Sequence, residues 1–147
     1  MMKTVTDPLT VANQLRPVLL KLSRQLRQEV HARGVTAGEV TLLVEIASHP
    51  GIGICDLAER EGVSSPRISK AVQKLLVDGL VYRHQSTPED RRRVGVDITQ
   101  RGRQVLDSVR RRRTAWLTER LHGLSPDELE ALEAAIAPLA KLLEAAE

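Results

Sequence analysis

At 147 residues the chain suits one domain, or a small module continuous with an oligomerisation segment, and it has no room for a second large catalytic domain. Phe is absent and Tyr82 and Trp116 are the only aromatics, so Leu, Val, Ile and Ala must fill the interior, while a single cysteine, Cys55, excludes an internal disulfide. The net charge is only +3, and Arg, Glu, Gly or Pro interrupts every apolar run well short of the roughly 18 residues a membrane span needs, so a soluble, cytoplasmic chain is expected.

The first predicted helix runs from about Thr10 to about Arg33, with Val11, Leu15, Val18, Leu22, Leu26 and Val30 recurring on one stripe. Pro17 is expected to kink it or push its start later. A second helix opens at Thr36-Ala37-Gly38-Glu39, where the Thr36 hydroxyl can cap a free N–H and Glu39 can reach back, and it ends at Pro50-Gly51. The third is short, about Ile54 to Arg60, with Gly53 where a Ser or Thr cap is more usual, and it stops at Gly62. Ser64 then caps a fourth helix, with Pro66 in its first turn and Ile68, Val72 and Leu75 on its inner face.

After Asp78-Gly79 the period changes. Leu80, Tyr82 and His84 alternate with Val81 and Arg83, and beyond a polar loop Val94, Val96 and Ile98 alternate with Gly95, Asp97 and Thr99. Two β-branched segments around a long charged loop predict a β-hairpin that projects as a wing. A fifth helix is expected from around Thr99 to about His122, and Ser125-Pro126-Asp127-Glu128 is a capping box that starts a sixth. Leu129, Leu132, Ile136, Leu139 and Leu143 give that helix a seam for packing on another helix, with Pro138 expected to bend it. The outer helices share surplus apolar stripes, for which a homodimer interface is the natural use.

The segment from Ile54 to Val72 has the helix-turn-helix pattern: a short helix, a turn at Gly62 and a capped second helix with small apolar residues at the contact. Ser64, Ser65, Pro66, Arg67, Ser69, Lys70, Gln73 and Lys74 then lie at the start and on the outer face of the second helix. Their donors suit base edges and phosphates, and the helix N-terminus adds partial positive charge. The hairpin loop carries Glu89-Asp90-Arg91-Arg92-Arg93. Three consecutive guanidinium groups repel one another unless an anion lies between them, and a phosphate backbone or a narrow minor groove supplies that anion. Charge is uneven along the chain: from Arg83 to Arg113 ten Arg face four acids, and from Thr118 onward seven acids face two bases.

The run Asp90-Arg91-Arg92-Arg93-Val94-Gly95-Val96-Asp97-Ile98-Thr99 resembles the wing signature of the MarR (multiple antibiotic resistance regulator) family, D-x-R-x-x-x-V-x-L-T. Asp90, Arg92, Val96 and Thr99 match, and Ile98 replaces the usual Leu. Gly102 after it and Lys74 to Val81 before it are also similar to family patterns. The resemblance implies a mainly α fold with a small β-hairpin wing, a winged helix-turn-helix over 36–99 flanked by dimerisation helices over 1–35 and 100–147. It implies that Arg92 enters the minor groove, that Asp90 orients it, and that the fourth helix lies in the major groove. The implied partner is a pseudo-palindromic double-stranded operator with half-sites about 34–36 Å apart, read by a homodimer.

The implied activity is a repressor relieved by a small phenolic or other aromatic acid, bound where the dimer helices meet the reading module. A constitutive or architectural DNA binder with no effector is the alternative, and a winged helix used for protein interaction is a third class. No cofactor, metal or enzymatic activity is expected, since no nucleophile with a base, paired carboxylates or phosphate-cradling loop is visible and His31, His49, His84 and His122 are scattered. Cys55 is expected to be a small buried filler, the run Arg110 to Arg113 a solvated face, and Trp116 a packing residue.

Overall fold

The computed structural model describes residues 5–30, 34–85 and 94–144. The elements in order are α1 (Pro8–Gln28), α2 (Ala37–Ser48), β1 (Ile52–Gly53), α3 (Ile54–Glu61), α4 (Ser65–Val77), β2 (Val81–Gln85), β3 (Val94–Ile98), α5 (Gln100–Leu121) and α6 (Pro126–Glu144). They fall into two compact units, residues 1–113 and 114–147.

In the first unit α1 begins two residues before the position read from its periodicity. Asp7 accepts from the Thr10 backbone N–H at 3.3 Å and from the Thr10 hydroxyl at 3.0 Å, and Pro8 takes the first helical position, where a missing N–H costs nothing. The helix runs through Pro17 and ends at Gln28, short of the expected Arg33. Of its predicted stripe only Val30, past the helix end, is fully buried, whereas Val11, Val18 and Leu22 are exposed.

Thr36 caps α2 as expected, its hydroxyl oxygen accepting from Glu39 N–H at 3.2 Å. The reciprocal half of that box is not formed, because the Glu39 carboxylate accepts from Lys74 on α4 instead. Val40, Leu42, Leu43 and Ile46 of α2, Leu57 and Ala58 of α3, and Ile68, Val72 and Leu75 of α4 join Val81, Val96 and Ile98 of the sheet in one core, with Val109 of α5 against it. Truncating a fully buried member such as Leu43 to Ala costs about 2–5 kcal/mol.

The expected hairpin is the major part of a three-stranded antiparallel sheet in the order β1-β3-β2. Strands β2 and β3 pair from Val81↔Ile98 to Gln85↔Val94, and β1 adds Ile52↔Val96 and Gly53↔Gly95. Two residues carry no readable period, so the sequence offers no sign of β1. It forms because Gly95 lets the Gly51 backbone lie against β3, where any Cβ would collide with the Gly51 carbonyl. Asp97 fixes the approach, its Oδ1 accepting from Gly51 N–H at 2.6 Å.

At the entry to α5 the Thr99 hydroxyl accepts from Gly102 N–H at 3.1 Å. In the second unit, Ser125 and Glu128 close both halves of the predicted box: Ser125 N–H donates to Glu128 Oε1 at 3.0 Å and Glu128 N–H to Ser125 Oγ at 3.2 Å. Helix α6 buries none of its residues within the chain, and Leu129, Leu132, Ile136 and Leu143 are exposed. No described helix is long and apolar enough to cross a membrane.

Candidate nucleic-acid interface

The angle between α3 and α4 is set by a turn that only a left-handed residue completes. Gly62 has φ +63°, its N–H donates to the Glu59 carbonyl, and Val63 N–H reaches back to Ala58 at 3.1 Å. Ser64 is extended at the N-cap of α4 and Pro66 lies in the first turn. Contrary to expectation, the Ser64 hydroxyl makes no capping bond, so among the described residues it does not satisfy the free first-turn N–H groups of α4.

With Ile68, Val72 and Leu75 turned inward, Ser65, Pro66, Arg67, Ser69, Lys70, Gln73 and Lys74 are all exposed on the opposite side. Two of them are held from neighbouring elements. The Arg83 guanidinium on β2 donates to Gln73 Oε1 at 3.4 Å, joining α4 to the base of the hairpin. The Lys74 ammonium donates to Glu39 Oε1 on α2, and that hydrogen bond, reinforced by the carboxylate's charge, raises the Lys74 pKa above its usual value.

Asp90, Arg91, Arg92 and Arg93 lie outside the described residues, in the segment that connects the paired strand ends Gln85 and Val94. The strands below that segment are firmly tied. His84 Nδ1 lies 3.3 Å from Asp97 Oδ2, and Thr99 donates its hydroxyl proton to the Gly79 carbonyl at 2.7 Å. The sequence alone places neither Glu39 nor Arg83 in this region. Arg83 carries a signal, as the first Arg of the basic stretch, whereas Glu39 reads as part of a local cap because its real partner lies 35 residues away.

Two further expectations need adjustment. Cys55 is exposed, not buried: α3 turns Leu57 and Ala58 inward, and Cys55, two positions before Leu57, falls on the opposite face. The run Arg110 to Arg113 is only partly a solvated face. Arg110 pairs with Asp107, and Arg113 Nε donates to the Leu26 carbonyl at 3.0 Å, capping the last turn of α1. Burial and then the like charge of Arg27 draw the Arg113 pKa below its usual value. In the second unit Trp116 is half-buried, with the Arg120 guanidinium 4.3 Å above its ring.

A short helix, a glycine turn, a second helix with an exposed polar face and an antiparallel hairpin directly behind it define a winged helix-turn-helix protein. The MarR family model matches residues 35–94. The chain is 30% identical over 134 residues to an uncharacterised HTH-type transcriptional regulator of Mycobacterium leprae, an alignment covering 91% of this chain and 93% of that protein. Its fold is similar to a multiple antibiotic-resistance repressor (MarR) of Listeria monocytogenes, with TM-score 0.74 and 19% identity over 97% of this chain and 99% of that one. It is also similar to FabT of Streptococcus pneumoniae solved in complex with DNA, with TM-score 0.65 and 18% identity over 96% of this chain and 100% of that one. The chain belongs to the MarR family of helix-turn-helix transcriptional regulators. The expectation of a regulator and not an enzyme agrees with that membership.

Proposed function

We propose that this protein is a cytoplasmic, homodimeric repressor that reads a pseudo-palindromic double-stranded DNA operator and releases it on binding a small aromatic acid. The observation that carries the reading is the exposed face of α4, where Arg67, Ser69, Lys70 and Gln73 stand together while Ile68, Val72 and Leu75 anchor the helix from behind. Arg67 and Lys70 offer donors to guanine edges and phosphates, Gln73 suits adenine, and Ser64 and Ser65 lie at the partly positive helix start. Asp90, Arg91, Arg92 and Arg93 form the second prong, with Arg92 in the minor groove. That a related fold, FabT, was solved in complex with DNA supports this assignment.

The working division is a reading module over 36–99 with dimerisation helices over 1–35 and 100–147. Its support is that α1 and α6 each present apolar side chains to solvent, such as Val18 at 52% and Ile136 at 64% exposure. Exposed apolar helix faces of this kind are covered by a partner in stable assemblies. Operator selection from genomic fragments followed by footprinting tests the DNA reading, and sedimentation tests the dimer. A monomer indifferent to duplex DNA in dilute buffer rejects the proposal. Titrating aromatic acids into the protein and its operator separates the effector-responsive repressor from a constitutive binder, for which no acid would shift either melting or DNA affinity.

A further inference from the structure

We propose that Glu39 is a positioning residue that withholds Lys74 from the DNA phosphates, so that α4 meets the duplex with base-reading groups in excess over non-selective charge. The inference rests on the DNA-binding reading and deepens it. Lys74 lies on the exposed side of α4, one position after Gln73, and its side chain is 54% exposed. A lysine so placed on a DNA-facing helix would ordinarily neutralise a phosphate. Here its ammonium is turned across the groove between α2 and α4 to a carboxylate that is only 10% exposed.

The pairing is asymmetric in what it costs to break. Lys74 can regain water or reach a phosphate, but Glu39 cannot follow it out. Among the described residues, Glu39 Oε2 is buried with no hydrogen-bond partner, and Oε1 has the Lys74 ammonium. Giving Lys74 to DNA would leave a desolvated carboxylate unpaired beside an incoming polyanion, which burial and like-charge repulsion both oppose. Room is not the obstacle, since the groove holding the pair has a volume of about 920 Å³ and also borders Arg67 and Lys70. Lys74 is held by charge, not by walls. Because a phosphate contact adds affinity for every sequence equally, withholding one lowers binding to all DNA and its dependence on salt, and leaves base contacts a larger share of the binding that remains.

Glu39→Gln keeps the side-chain shape and an acceptor oxygen but removes the charge. The expected result is a salt-dependence slope, log K against log salt, steeper by about 0.9 for each protomer bound, so that raising salt from 50 to 200 mM costs each protomer about 3.5-fold more affinity than in the wild type. Operator and non-operator DNA gain affinity by the same factor. In Glu39→Gln/Lys74→Gln the slope returns to the wild-type value. An unchanged slope in the single variant, or a steeper slope that survives in the double variant, overturns the proposal.

A measurement on the wild-type protein needs no variant to fold. With lysine side chains labelled for NMR, saturating operator shifts the Lys70 ammonium signal and leaves that of Lys74 in place. A Lys74 shift matching that of Lys70 overturns the proposal. If neither signal moves and no salt-dependent binding is seen, the DNA-binding reading itself falls, and the proposal falls with it.

Discussion

Thr99 joins two elements through one oxygen: its hydroxyl donates to the Gly79 carbonyl at 2.7 Å and accepts from Gly102 N–H at 3.1 Å, while Thr99 N–H donates to the Leu80 carbonyl at 3.0 Å. The turn after α4 is thereby sewn to the first turn of α5. Thr99→Val preserves the shape and removes both hydroxyl bonds, so a loss of roughly 1–3 kcal/mol is expected. Chemical denaturation checks the value, and an unchanged midpoint would show that solvent replaces the hydroxyl without cost.

Two glycines of the same sheet should respond in opposite directions. Gly95→Ala drives a Cβ into the Gly51 backbone and must displace β1, at a cost of about 1–3 kcal/mol. Gly53 has open space around its Cβ position and an extended backbone, and it begins α3 with no side-chain cap. Gly53→Ser supplies the missing acceptor and should stabilise by a few tenths of a kcal/mol. Thermal melts of the two variants test the pair, and a destabilising Gly53→Ser contradicts the capping argument.

The box that starts α6 makes the second unit sensitive to acid. Bonds from Ser125 N–H and its hydroxyl hold the Glu128 carboxyl below its usual pKa, so the ionised form is the one the fold prefers. Its stabilisation is therefore complete above the unfolded carboxylate pKa and is lost as pH falls through the lowered folded value. Against Glu128→Gln, the wild type should be the more stable at neutral pH, and the gap should close in acid. A gap that persists below the carboxylate range would rule out the charge as its source.

On DNA, the two proposed prongs should fail differently. Arg92→Ala is expected to weaken binding to all sequences and to lower the salt slope by about 1, whereas Arg67→Ala or Lys70→Ala should cost roughly 1–3 kcal/mol concentrated at particular base pairs. Binding curves on the operator and on single-base variants separate the two patterns. Equal affinity of Arg92→Ala and wild type removes the wing from the mechanism.

Signals confined to a few neighbouring residues are legible in the amino-acid order itself. Thr36 and Ser125 read as caps, Gly62 as a helix stop, and Ile68, Val72 and Leu75 as the inner face of α4, because each follows from local geometry or a 3.6-residue period. The start of α1 is encoded by Asp7-Pro8, ahead of the apolar stripe, so periodicity alone places it too late. Relationships across long separations have no local sign: β1 needs Gly95 more than 40 residues on, and Glu39 looks like a cap until Lys74 comes beside it. Cys55 shows that helical phase outweighs residue type in deciding which side chain faces inward.

The clamp of Asp97 on Gly51 couples segments that the chain order keeps far apart. Through it the corner following α2 is fastened to the stem of the hairpin, with His84 braced on the same carboxylate. The end of α2 is thus tied to the root of the hairpin by a route that bypasses α4 altogether.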